Sequence, residues 1–211
     1  MHLLLKPKSL NRSVSKHIHM YQKRNKELDI ISLFSGNYKA KFYLRQISKL
    51  TKLALKTCQN ALFILEQNRI LKSQIEGKNK YFSLNLENIQ TKSILLQTEI
   101  HKTDLFLDKY PQFKTFLKEL KTNIPIIIFG SFAKFTADKN SDLDLLIISE
   151  KELGLPFHLL SYEAHIVNLS EKSFIEAVKE QEALVKEIEE KHIILNNHSV
   201  YVNIMWEQYG K

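Results

Sequence analysis

Residues 129–148, Phe-Gly-Ser-Phe-Ala-Lys-Phe-Thr-Ala-Asp-Lys-Asn-Ser-Asp-Leu-Asp-Leu-Leu-Ile-Ile, constrain this chain more than any other stretch. An apolar run at 124–129 reads as a buried strand that stops at Gly130-Ser131. Residues 142–148 begin with polar/apolar alternation and end as a second buried strand. On a strand, residues i and i+2 share a face, roughly 6–7 Å apart, so Asp142 and Asp144 project side by side. Adjacent carboxylates repel unless a cation sits between them. Mg²⁺ suits that position, being a hard ion that takes oxygen ligands and keeps places for triphosphate oxygens and water. Gly130 lets the backbone bend and approach a phosphate with no Cβ in the way. Ser131 adds a hydroxyl and an N–H, and exposed N–H groups at such a bend form an anion site. Lys134 is close enough in sequence to help neutralise a triphosphate.

At these residues the chain resembles the polymerase-beta-like nucleotidyltransferases, and their minimal branch in particular. The family signature Gly-Ser-x10-Asp-x-Asp is matched by Gly130, Ser131, Asp142 and Asp144, and the likeness extends to Ser141 and to Ala133-Lys134. It covers residues 111–205. The resemblance implies Mg²⁺ or Mn²⁺ held by Asp142 and Asp144. It also implies a nucleoside triphosphate bound by Gly130, Ser131, Lys134 and Ser141, and transfer of a nucleoside monophosphate to an acceptor hydroxyl with release of pyrophosphate. There are two departures. The family usually has glycine where this chain has Phe135, which bears on the shape of the loop. It commonly has a third carboxylate on a later strand, here at 162–168, where His165 stands and Glu163 shares its face. A neutral imidazole can accept a hydroxyl proton but is a poor ligand for a hard cation. Glu163 and His165 are therefore both candidate catalytic groups.

The chain carries a net charge of +8, unevenly spread. Residues 1–110 hold 20 Lys and Arg against 8 Asp and Glu; residues 111–211 hold 11 against 15. That split suggests a nucleic-acid-facing module joined to a different one. Residues 28–34, 43–50 and 55–67 read as three helices, with Leu55, Cys58, Leu62 and Leu65 on one face of the third. Residues 70–75 and 80–85 read as a hairpin across a Gly-containing turn. This order resembles a winged helix-turn-helix at 27–86, with Arg69 where that family often has glycine. The resemblance sends the helix from Leu55 into the major groove of DNA. Gln59 and Asn60 would then reach base edges. Lys56, Lys78 and Lys80 would touch phosphate, and Thr57 lies on the same polar face.

Residues 1–26 read as a basic arm or a partly helical extension. His2, His17 and His19 in it have no cysteine or close carboxylate to complete a metal site. Residues 87–110 read as a partly helical linker whose Ile94, Leu95, Ile100, Leu105 and Phe106 pack between modules or against a second copy in a homodimer. Pro111 opens a helix with Phe113, Phe116, Leu117 and Leu120 on its core face. Ser170 reads as an N-cap. Residues 193–205 read as a terminal hairpin turning at Asn196-Asn197, and His192 and His198 as surface residues. Cys58, the one cysteine, reads as buried. No stretch approaches the roughly 20 apolar residues of a membrane span, and the leading run at 3–5 is too short for a secretory signal. The cytoplasm is the expected location.

The expected fold is α+β: a winged helix-turn-helix domain (27–86), the linker, then a small mixed-sheet nucleotidyltransferase domain (111–211). The expected function is nucleotidyl transfer to a protein or small-molecule hydroxyl, coupled to DNA binding. The protein acceptor could be a partner toxin, as for related antitoxins. The alternative is a DNA-binding regulator whose second domain senses nucleotide or docks a partner with degraded chemistry.

Overall fold

The computed structural model describes residues 25–151 and 154–210. Most of the basic arm, with His2, His17 and His19, lies outside the described residues. Helix α1 (Lys26–Ser35) starts where the Asn25 side chain accepts from the Leu28 N–H (3.1 Å), with Glu27 and Asp29 in its first turn; both features suit the positive end of a helix. A short strand β1 (Phe42–Tyr43) leads into α2 (Leu44–Thr51) and α3 (Leu55–Gln67). Cys58, Ala61, Leu62 and Leu65 of α3 are buried, while Leu55 stays exposed. Strands β2 (Leu71–Glu76) and β3 (Asn79–Leu84) form the expected hairpin, with Gly77 at φ +60° in its turn. The three strands pair antiparallel in the order β1-β3-β2.

Residues expected to be only partly helical form one 21-residue helix, α4 (Ile89–Lys109), capped by Asn88. Leu95 and Phe106 are buried as expected, but Ile100 and Leu105 are each 45% exposed. The rest of the buried stripe is polar: Thr91, Thr98, Glu99 and Thr103. Those groups reach both halves of the molecule. His101 lies 3.1 Å from Asp29 of α1, and Thr103 donates to the carbonyl of Ile194 (2.6 Å).

Pro111 precedes α5 (Gln112–Glu119), which buries Phe113 and Phe116. Strand β4 (Ile126–Ile128), a single helical turn α6 (Gly130–Ala133) and strand β5 (Leu143–Ile148) follow. Beyond a 3₁₀ turn at Phe157–Leu159 come β6 (Ala164–Leu169), α7 (Glu171–Glu180), α8 (Ala183–Glu190), β7 (Ile193–Asn196) and α9 (His198–Tyr209). Ser170 caps α7 through the Ser173 N–H (3.0 Å). The sheet order is β6-β5-β4-β7; β5 and β6 are parallel and the other pairs antiparallel. It is a mixed sheet in an α+β fold.

The expected terminal hairpin is not formed. Only β7 is a strand. Asn197 takes a left-handed conformation (φ +51°), and the chain then winds into α9. Val200 and Val202 read as strand residues. The helix wins because it buries Tyr201, Val202, Ile204 and Met205 together, with Tyr201 against the Phe174 ring of α7; packing overrides β-branched preference.

Each strand of the second sheet splits its side chains between two apolar clusters. Ile126, Ile128, Leu143 and Leu145 face an aromatic group built on Phe106, Phe113, Phe116 and Phe132. Ile127, Leu146 and Ile148 face the other cluster, which runs through Phe174 and Tyr201 to Ile30, Phe34 and Leu95. Gly36, just past α1, meets α8 so closely that an added Cβ would lie 2.1 Å from the Glu189 carbonyl oxygen. No helix of the described residues is long and apolar enough to cross a membrane.

His192 is not a surface residue: it is 1% exposed. Its Nδ1 donates to the Ile188 carbonyl (2.8 Å), and its Nε2 lies 3.0 Å from both Glu99 Oε2 and Lys102 Nζ. Lys102 Nζ lies 2.8 Å from Glu99 Oε2 and 3.4 Å from the Ser35 hydroxyl. His198 is half-buried as well, its Nε2 2.9 Å from Thr103 Oγ1, and burial pushes its pKa down. Burial alone would raise the Glu99 pKa, but Lys102 and then His192 outweigh it and hold the carboxyl at about 2, below its ordinary 4.5. For a carboxyl with a depressed folded pKa, the stabilisation is full above the unfolded value and is lost as pH falls toward the folded one. We therefore expect Glu99→Gln, which leaves Lys102 buried without its carboxylate, to lower the unfolding free energy by about 3–5 kcal/mol in urea at neutral pH. The variant should also flatten the acid limb of the stability profile between the two pKa values. An unchanged urea midpoint would show that the cluster does not hold the elements together.

Candidate active site

Strand β4 is followed by Phe129, whose N–H donates to the Asp144 carbonyl (3.1 Å). The next residue, Gly130, is buried at φ +65°. An added Cβ there would lie 2.2 Å from Asp144 Oδ2. The glycine thus serves both as a left-handed bend, which costs other residues about 1–2 kcal/mol, and as the surface against which the Asp144 carboxyl rests. Ser131 follows, and its carbonyl accepts from the Thr136 N–H (3.0 Å), which closes the loop on itself.

Asp142 and Asp144 sit at the N-terminal end of β5, on the strand face that continues into Leu146 and Ile148. The apolar cover reaches those two but not the aspartates, so Asp142 is exposed and the Asp144 side chain is 31% exposed. Burial raises the Asp144 pKa first, and the Asp142 charge adds to it; His165 works in the opposite direction. His165 is the register partner of Asp144, with Nδ1 3.7 Å from Asp144 Oδ1. Glu163 lies one step before the paired register of β6, where its carbonyl accepts from the Leu143 N–H (2.8 Å). That places Glu163 beside Asp142, with its side chain exposed.

The remaining candidates are placed differently. Ser141 ties the preceding turn together: its hydroxyl lies 3.1 Å from Asp138 Oδ1 and accepts from the Asp138 N–H (2.9 Å). Lys134 extends toward α8, with Nζ 3.5 Å from Glu190 Oε2. Phe135 adopts φ +59°, a left-handed backbone that favours glycine. Its ring stacks on Tyr110 and meets Phe106, and Lys109 Nζ donates to its carbonyl (2.5 Å) while lying over both rings. Among the described residues no group of three His, Cys, Asp or Glu side chains is drawn together in a geometry that could hold a metal. The protein offers two adjacent carboxylates, so the other ligands of a hard cation would have to come from substrate and water.

In the N-terminal half Lys56, Gln59 and Asn60 are exposed on α3 next to Phe63 and Ile64, and Thr57 is half-buried. Phe63 is 61% exposed. Gln59, Lys78 and Lys80 line one cleft of about 520 Å³ together with Tyr43, Arg45 and Phe63. Lys80 is not free there: its ammonium lies 2.7 Å from Glu66 Oε2, and the same carboxyl accepts from Ser73. Arg45 is a cation that the sequence signals only by its place at the start of an amphipathic helix.

Residues 111–202 match the family model of the nucleotidyltransferase domain, and the match supports nucleotidyl transfer as the general reaction. No curated protein and no solved structure matches the chain significantly.

A carboxyl with a raised folded pKa gives its stability below the unfolded value and loses it as pH rises through the folded one. Ionised Asp144 is therefore a cost at neutral pH. Asp144→Asn should melt above the wild type in EDTA at neutral pH, and Mg²⁺ should raise the melting temperature of the wild type but not of Asp144→Asn. Gly130→Ala, which forces the carboxyl aside, should also lose the Mg²⁺ response. Asp144→Asn melting below the wild type in EDTA would contradict the burial cost assigned to Asp144.

Proposed function

We propose that the protein is a nucleotidyltransferase that moves a nucleoside monophosphate from a nucleoside triphosphate to an acceptor hydroxyl. One observation carries this reading: the left-handed glycine bend and the half-buried carboxyl lie against each other, so a phosphate held at the bend and a cation held at the carboxyl would share one surface. Asp142 and Asp144 would hold Mg²⁺ or Mn²⁺, and the ion, when bound, neutralises triphosphate charge and polarises the reacting phosphorus centre. The N–H groups and hydroxyl of Gly130-Ser131 would hold phosphate oxygens. His165, at 3.7 Å from Asp144, would take the acceptor's proton as its oxygen bonds to the α-phosphorus and pyrophosphate departs. Glu163, exposed beside Asp142, would accept a hydrogen bond from a water held by the ion. The acceptor is a hydroxyl of a protein, such as a toxin encoded as a partner, or of a small molecule. The N-terminal helices and hairpin would bind DNA through Lys56, Gln59, Asn60 and Lys78, with the protein working in the cytoplasm.

A second reading is favoured by one residue: His165 stands beside Asp144 where the resemblance calls for an acid. In it the domain binds nucleotide and regulates DNA binding without transfer.

Incubation with each α-phosphate-labelled nucleoside triphosphate, Mg²⁺ or Mn²⁺ and a lysate of acceptors separates the two. Transfer predicts covalent label that Asp142→Asn abolishes and His165→Ala reduces by about 10²-fold. Label bound only non-covalently, with DNA affinity that shifts on nucleotide addition, would overturn transfer in favour of the regulator.

A further inference from the structure

The cleft of about 520 Å³ between α2, α3 and the β2–β3 hairpin has the size of a small-ligand site. Leu62 and Phe82, both buried, give it apolar surface. Tyr43, Arg45, Gln59, Phe63, Lys78 and Asn79 line the rest. That mixture of ring faces, amides and cations is more specific than a solvated helix face.

The charges here do not cancel. Glu66 is the one carboxylate that lines the cleft among the described residues. It is taken by Lys80 at 2.7 Å, and Ser73 donates to its other oxygen. The Lys80 ammonium also lies 5.2 Å from the centre of the Phe82 ring. Glu76, at the hairpin turn, is paired with Lys41 at 2.8 Å. Arg45 and Lys78 remain, both exposed and, among the described residues, without an ion pair. The cleft therefore keeps two cations in surplus.

The apolar side is also unfilled. Phe63 is 61% exposed, and among the described residues no other ring stacks on it. Gln59 stands one helical turn before it on α3, at the i, i+4 spacing that puts both on one face. The Tyr43 ring is steadied by Tyr81, edge-on at 5.6 Å. Surplus cations suit an anion, a bare ring suits a flat apolar face, and the amides of Gln59 and Asn79 suit a hydrogen-bonding edge. A nucleobase joined to its phosphate has all three. Bases within a duplex cover each other's faces, so only an unstacked base can lie on Phe63.

We propose that this cleft binds an unstacked nucleotide. The base lies on Phe63 with its edge toward Gln59 and Asn79, and the phosphate meets Arg45 and Lys78. Stacking of this kind accepts any base, since each has a π face. The inference refines the DNA-binding reading given above and rests on it for the polymer, whereas duplex binding through Lys56 and Asn60 does not need the cleft to be filled.

The test uses the full chain in EDTA, which keeps metal away from the aspartate pair. Fluorescence anisotropy follows a fluorescein-labelled oligothymidylate of twelve nucleotides, and the same strand annealed to its complement. The single strand should bind more tightly than the duplex. Phe63→Leu should weaken the single strand about tenfold and leave the duplex unchanged. Arg45→Glu and Lys78→Glu should each weaken the single strand and flatten its dependence on salt. Phe63→Trp should keep the affinity, and its added indole fluorescence should be quenched as the single strand saturates, a mark of stacking that a structural role would not give. Thymidine monophosphate that displaces the strand at a similar concentration assigns the cleft to free nucleotide, and displacement only at far higher concentration assigns it to a strand. Equal affinity of wild type and Phe63→Leu for the single strand, or no quenching in Phe63→Trp, would overturn the site. Duplex binding lost together with single-strand binding in Phe63→Leu would overturn the unstacked base while leaving the DNA reading in place.

Discussion

The buried carboxylate of Glu99 is the group on which the arrangement of the molecule depends. It comes from the middle of α4, meets Lys102 one turn on, and meets His192 from the segment that enters β7. Lys102 in turn reaches Ser35 at the end of α1. One charge cluster thus links the N-terminal helices, the long helix and the edge of the second sheet. Taking such charges out of water costs several kcal/mol per ion, and mutual attraction only offsets that when the geometry holds. Among the described residues Glu99 Oε1 has no hydrogen-bond partner, so the balance is close. What the cluster contributes is register, because sliding α4 by a turn would strand a carboxylate and an ammonium in apolar surroundings. Register matters here because β7 pairs with β4, and β4 leads through Phe129 to Gly130.

Two bulky residues hold left-handed backbone where the resemblances call for glycine. Arg69 (φ +56°) turns the chain from α3 into β2, and Phe135 (φ +59°) closes the loop after Ser131. Each conformation costs about 1–2 kcal/mol for a residue with a Cβ. At Phe135 the offset is visible: its ring joins Phe106 and Tyr110, and aromatic pairs contribute about 0.5–1.5 kcal/mol each beyond area. The loop keeps a glycine-like path and gains a side chain that anchors it to α4. The Arg69 carbonyl accepts from Asn85 and Asn88, which fixes the same bend by hydrogen bonds instead.

What the sequence discloses follows from where the chemistry is local. The strands around Gly130 and Asp142, the hairpin at 71–84 and the buried face of α3 are all legible, because periodicity and turn residues act over a few positions. Helix α4 is only partly legible because its buried stripe is threonine and glutamate, groups that become favourable inside only when partners from distant segments arrive. His192 is misread for the same reason, its partner Glu99 lying 93 residues away. Helix α9 is misread because Val200 and Val202 carry strand preference, and only the pocket around Phe174 decides otherwise. Within the site, the adjacency of Asp142 and Asp144 is readable. The contact of Asp144 with Gly130 is not, since it depends on how β4 and β5 pair.

That pairing also bears on the two side chains that compete for the third position of the site. Glu163 and His165 share a face of β6 and stand beside Asp142 and Asp144 respectively. Hard cations favour oxygen over imidazole, and burial discourages negative charge at Asp144 while leaving Asp142 in water. The site is therefore graded, with an open end formed by Asp142 and Glu163 and a half-buried carboxyl, Asp144, beside an exposed imidazole. On the reading proposed above, this gradient removes a conflict. A cation drawn to Asp142, Asp144 and the oxygens of substrate and water leaves the imidazole free to take a proton, whereas a carboxylate at position 165 would compete for the ion. Replacing an acid by histidine at that place then separates the two jobs instead of abolishing one of them.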